Sequence, residues 1–147
     1  MNNIILDDLR TKIDEIDTNL CQLIKERQSL ASKIKREKKG SFPFDPKREE
    51  EIIKKLVNLG LDKFLVEKVW RQIISSNLSM QQALKIGVAG NDDEIQSAYS
   101  AHFGNYFKTT YFLSVVSLLA ALEKKDIELG FIDSKSINNL KNQTEIK

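Results

Sequence analysis

LDDLRTKIDEIDTNLCQLIKERQSLASKIKREK, residues 6–38, contains neither glycine nor proline. Its apolar residues stand at Leu6, Leu9, Ile13, Ile16, Leu20, Leu23, Leu30 and Ile34, in alternating steps of three and four with one member missing. That heptad seam predicts one long helix of about nine turns. Two short helices cannot cover a stripe of that length, so a second copy of the chain is its natural partner. Gly40-Ser41-Phe42-Pro43-Phe44 ends the helix, and Asp45-Pro46 reads as an N-cap followed by proline at the first helical position. A second helix carries Ile52, Ile53, Leu56 and Val57 and stops near Gly60. A third starts near Asp62 and shows Val66, Trp70, Ile73 and, further on, Leu84 along one face. Residues 1–84 therefore read as an all-α three-helix domain.

At Lys85 the pattern changes. Lys85 to Ala89 is a short apolar strand before a Gly-Asn-Asp turn, and Glu94 to His102 has helical character. Phe107 to Phe112 and Ile127 to Ile132 are strand-like, with a helical pattern from Ser114 to Lys124 between them. Residues 85–133 thus form a small α/β appendage of β-α-β-α-β order. The tail, 134–147, is rich in Asn, Lys and Ser and is expected to be disordered.

Composition narrows the function. The 147 residues are 41% hydrophobic and 30% charged, as in a globular protein. No apolar run approaches the roughly 20 residues that span a bilayer, and MNNIILDDLR lacks the layout of a signal peptide. A cytoplasmic protein with no membrane partner is expected. Cys21 and His102 are each the single residue of their type, which speaks against a metal centre and against a Ser-His triad. A net charge of +2 makes no case for nucleic acid.

The informative residues interrupt the seams. Arg27 occupies the missing heptad position of the first helix, and at about 100° per residue it shares a face with Ala31, Ile34 and Lys38. On the third helix the stripe continues at Asn77 and Gln81, two amides at core-facing spacing. On the second, Arg48 and Glu49 lie one turn before Ile52 and Ile53, at the edge of the apolar face. Each has a plain reading alone: a snorkelling arginine, a register-setting amide, a solvated ion pair, or a wet lysine within the basic run from Lys33 to Lys39. The same defect on all three helices points instead to a polar interior pocket for an anionic small molecule. Arg10 precedes Arg27 by 17 residues on one helix, about 25 Å along the axis. The two can grip one small ligand only if two long helices pair antiparallel, with one Arg10 reaching the other chain's pocket.

These residues resemble a known family. Leu9-Arg10-Thr11-Lys12-Ile13-Asp14-Glu15-Ile16-Asp17, the Glu26-Arg27 pair, Lys38, Asp45-x-x-Arg48-Glu49 and Gln81-Gln82 are similar in order and spacing to the helical chorismate mutases. The resemblance covers about residues 6–84 and is strongest to the mutase portion of bifunctional proteins that also make phenylpyruvate. It implies an intertwined homodimer that rearranges chorismate to prephenate without cofactor or metal. It further implies that Arg27 and the partner's Arg10 hold the two substrate carboxylates and that Lys38 and Gln81 bond the ether oxygen. Glu49, with the backbone near Asp45, would hold the ring hydroxyl, and Arg48 would support the anion-binding network. Asn77 stands where the family pattern has serine, so altered affinity is expected rather than lost activity. The loop between helices one and two is slightly short.

Ile86-Gly87-Val88-Ala89-Gly90 with Ala101-His102-Phe103-Gly104 resembles the start of a prephenate dehydratase domain. The expected reading is a truncated appendage without dehydratase activity, in which His102 is structural. The acidic turn Gly90-Asn91-Asp92-Asp93 is no phosphate cradle. Two rival readings of the whole stand beside the mutase. One is an isochorismate-pyruvate lyase, which shares the helical fold; the other is a non-catalytic helical dimerisation or regulatory module.

Overall fold

A computed structural model describes residues 2–37, 40–90 and 92–144. The elements are α1 (Asn2–Glu37), α2 (Pro46–Asn58), α3 (Lys63–Gln81), β1 (Lys85–Ala89), α4 (Asp93–Phe103), β2 (Lys108–Phe112), α5 (Val115–Glu123), β3 (Leu129–Phe131) and α6 (Ser134–Thr144). They fall into two compact units, Met1–Ser41 and Phe42–Lys147.

The first unit is α1. Its residues are mostly good helix formers, and Lys35 and Arg36 in its last turn complement the negative end of the helix dipole. The helix is continuous over 36 residues, or about 54 Å. Its seam is uncovered: Leu9, Ile13, Ile16, Leu20, Leu23, Leu30 and Ile34 are each between 50% and 60% exposed.

The second unit opens with two capped helices. Asp45 Oδ1 accepts from the Arg48 amide at 3.0 Å to start α2, with Pro46 following it, and Asp62 Oδ1 accepts from the Leu65 amide at 2.9 Å to start α3. Caps of this kind contribute about 1 kcal/mol each. α2 buries Glu49 and Ile53, and α3 buries Val66, Ser75, Asn77 and Leu78.

A parallel three-stranded sheet in the order β2-β1-β3 follows. Side-chain alternation along β1 divides the core. Ile86 and Val88 pack with Leu78, Leu84, Ile95, Tyr99 and Phe103, while Ala89 packs with Leu118, Ala121 and Ile127. α4 and α5 thus cover opposite faces, as right-handed crossovers from a central first strand require. Gly87 sits where a methyl group would run into Ile127 and Phe112. Tyr99 shares a 2.7 Å hydrogen bond with Thr109, and burial pushes its phenol above the usual range.

One expectation changes. The tail was expected to be disordered, yet residues 134–144 form α6; residues 145–147 lie outside the described ones. The reason is a cap rather than a core. Asp133 accepts from the Ser136 amide at 2.8 Å and from the Ser136 hydroxyl at 2.9 Å, bonds that hold its carboxyl below the usual carboxylate range. A polar segment can be helical without burying much, and Ile137 stays 40% exposed. Residue 84 lies in the link between α3 and β1, and α3 packs against α4 across that link.

That packing depends on Gly104, the C-cap of α4, at φ +60° and ψ −149°. This region is nearly glycine-only, and a Cβ there would also meet Gln72 and Tyr106. Gly104→Ala is expected to destabilise the fold by about 1–3 kcal/mol, read as a lower urea midpoint at unchanged slope.

Candidate active site

The candidate residues divide between the two units. Arg10 and Arg27 belong to α1. Arg10 is exposed and lies 3.4 Å from Asp7, one turn earlier, whereas Arg27 is half-buried. Lys38 lies outside the described residues. In the second unit Asp45 caps α2 and Arg48 is exposed, 3.5 Å from Glu51. Glu49 and Asn77 are buried, 7% and 3% exposed, and Gln81 is half-buried as the last residue of α3. The stripe read along α3 thus turns polar at Asn77 while staying inside.

A buried carboxylate needs a partner, because an unpaired one costs several kcal/mol. Glu49 has two neighbours, neither of them a candidate from the sequence. Arg71 Nη1 of α3 donates to Glu49 Oε2 at 2.9 Å, and His102 Nε2 of α4 lies 3.2 Å from the same oxygen. Phe44 and Phe103 flank the imidazole at ring-centroid distances of 6.3 and 4.4 Å. Arg71 follows Trp70 and looks like any charged residue beside an apolar seam. No spacing rule links it to a glutamate 22 positions earlier on another helix.

Asn77 is the opposite case. Neither its Nδ2 nor its Oδ1 has a hydrogen-bond partner among the described residues. Unsatisfied buried groups cost about 1–3 kcal/mol each and are rare in native interiors. Its Nδ2 is a donor fit for an anionic oxygen. No group of three or more His, Cys, Asp or Glu able to hold a metal ion occurs among the described residues. Nor is any helix there long and apolar enough to cross a membrane.

A helical segment with an ion-paired carboxylate and an amide unpartnered among the described residues inside it, followed by a parallel α/β unit, defines a class: a small helical segment joined to an open-sheet segment. The chain belongs to the chorismate mutase type II family, which it matches over residues 9–82. It is similar to the bifunctional chorismate mutase/prephenate dehydratase of Pseudomonas aeruginosa, 30% identical over 135 residues, covering 84% of this chain and 37% of that protein. Proteins of the same name from Stutzerimonas stutzeri and Aquifex aeolicus are 32% and 33% identical over 108 and 94 residues. These matches cover 66% and 58% of this chain, and 30% and 26% of those proteins. The chain therefore spans between about a quarter and little more than a third of the length of the relatives it matches. A match to 84% of the chain must run past residue 82, because only eight residues precede the family segment. No solved structure matches.

Proposed function

We propose that the chain catalyses the Claisen rearrangement of chorismate to prephenate, in aromatic amino acid biosynthesis in the cytoplasm. The reading rests on one observation. All eight candidate residues, Arg10, Arg27, Lys38, Asp45, Arg48, Glu49, Asn77 and Gln81, lie inside the segment that matches the family. The buried, unsatisfied amide of Asn77 supports it independently.

The chemistry suits these side chains. The rearrangement is unimolecular and needs a flexible dianion held in a chair-like reactive shape. Arginine forks do this by bonding each carboxylate through two parallel N–H donors. In the transition state negative charge grows on the ether oxygen, so donors placed there stabilise it more than the ground state. Lys38 supplies a cation at that oxygen, and Gln81 a neutral donor. Glu49 accepts from the ring hydroxyl, and the backbone near Asp45 helps to hold that group. Arg48 adds positive charge to the anion-binding network, and Asn77 donates to a carboxylate.

The site is shared between two chains. α1 carries Arg10 and Arg27 on one unbroken helix, about 25 Å apart, too far for one small dianion. Its exposed seam is apolar surface for a second α1 running antiparallel, which brings the partner's Arg10 to the pocket that holds Arg27. Residues 1–84 act as the mutase domain and 85–133 as a dehydratase-like appendage, in keeping with the match that extends past residue 82.

Loss of chorismate absorbance with the purified chain tests the activity, and its absence would end the reading. Leu20→Glu places a charge in the seam at a half-exposed position. It is expected to halve the mass seen by sedimentation and to abolish turnover without loss of helicity. Wild-type mass and turnover in that variant would refute the shared site.

A further inference from the structure

The α/β segment reaches Glu49. His102 sits in the last turn of α4, and its Nε2 is 3.2 Å from Glu49 Oε2. In the present rotamer the imidazole is not aligned for a hydrogen bond, although it is within reach of one. The end of α4 is itself fastened to α3. Ser75 Oγ donates to the His102 carbonyl at 2.8 Å, and Gln72 Nε2 donates to the Ala101 carbonyl at 3.4 Å. Those carbonyls belong to the unsatisfied C-terminal set that every helix leaves. Side chains of α3 thus cap α4, and the glycine-only turn at Gly104 allows the approach. Arg71, Gln72 and Ser75 lie within five residues, so one stretch of α3 holds both the Glu49 carboxylate and the helix end that carries His102.

We propose that His102 is a positioning residue for Glu49, so that the α/β segment contributes to the mutase site of the helical segment. Arg71 bonds Glu49 Oε2 from one helix and His102 approaches the same oxygen from another. Two contacts from different elements restrict the carboxylate's rotation more than either alone, and a site residue held in one geometry loses less freedom when it binds. The Phe44 and Phe103 rings keep the imidazole in place. A helix whose own fold has no use for a mutase therefore sets the orientation of the group assigned to the ring hydroxyl. The inference rests on the mutase reading of Glu49.

The test uses the full chain and kcat/KM for chorismate. His102→Leu removes the ring nitrogens at similar size and is expected to lower kcat/KM about tenfold, as Glu49 loses one of the two groups that restrict it. His102→Gln, which keeps a donor, is expected to stay within about threefold of wild type. In a Glu49→Gln background the effect of His102→Leu should vanish, because the two changes then act on one group. Ser75→Ala loosens the same helix end and is expected to follow the same rule. It carries the test should His102→Leu fail to fold. A wild-type chain without turnover would sink the mutase reading and this inference with it. An active wild type with an unaffected His102→Leu, or a loss of equal size in the Glu49→Gln background, would sink the inference alone.

Discussion

Arg27→Ala is expected to lower kcat for chorismate by about 10²–10³-fold, the usual effect of removing a principal donor from a preorganised site. Arg27 interrupts the α1 seam and is half-buried there. Its assigned carboxylate partner is part of the substrate, so truncation removes the grip and the orientation together. Arg27→Lys is expected to recover only part of the rate, because an ammonium cannot make the paired, in-plane bonds of a guanidinium. Lys38→Ala, which removes the cation assigned to the ether oxygen, is expected to fall in the same range. Circular dichroism and sedimentation should remain those of the wild type, since alanine favours the helix and adds no charge to the α1 seam. Near-normal turnover in both variants would refute the assignment of the site.

Arg71→Ala is expected to be the most destabilising single change among the polar residues. It strands the Glu49 carboxylate, 9% exposed at the side chain, without its 2.9 Å partner. Breaking a buried pair costs about 3–5 kcal/mol; the lower end applies because Arg71 keeps 21% of its side chain exposed. For a chain of this size that is a fall of about 10 °C in Tm. The double variant Glu49→Leu with Arg71→Met replaces the pair by apolar side chains of similar volume. It is expected to regain most of the lost stability, because such swaps avoid the desolvation of two charges. It should not regain turnover, because nothing then accepts from the ring hydroxyl. A double variant that is as active as wild type would show that Glu49 serves only the fold. A single Arg71→Ala variant that melts like wild type would show that the pair contributes nothing.

The pair also marks where reading from sequence stops. Asp45 and Asp62 were legible as caps because capping is decided within four residues, and each accepts the amide three positions on. Asn77 was legible as an inward polar residue because helical periodicity reports which face a position occupies. The strands β1 and β2 were legible from short apolar runs between turn residues. α6 was missed because a cap at Asp133 supports a helix that apolar content does not reveal. Arg71 and His102 carried no signal. Arg71 looks like a surface charge and His102 like a residue on the face of an amphipathic helix.

The amino-acid sequence by itself determined the long helix α1, the two helices after it and the change to β-α-β-α-β at Lys85. All of these follow from interactions between positions a few residues apart: heptad spacing, caps, strand alternation and side-chain type. Only the tertiary structure decided that α4 docks on α3 and that Arg71 and His102 converge on Glu49. It alone decided that Asn77 is buried with no hydrogen-bond partner among the described residues. These facts depend on residues 22 to 53 positions apart meeting in space, and which distant side chains meet depends on how helices pack, which no local pattern encodes.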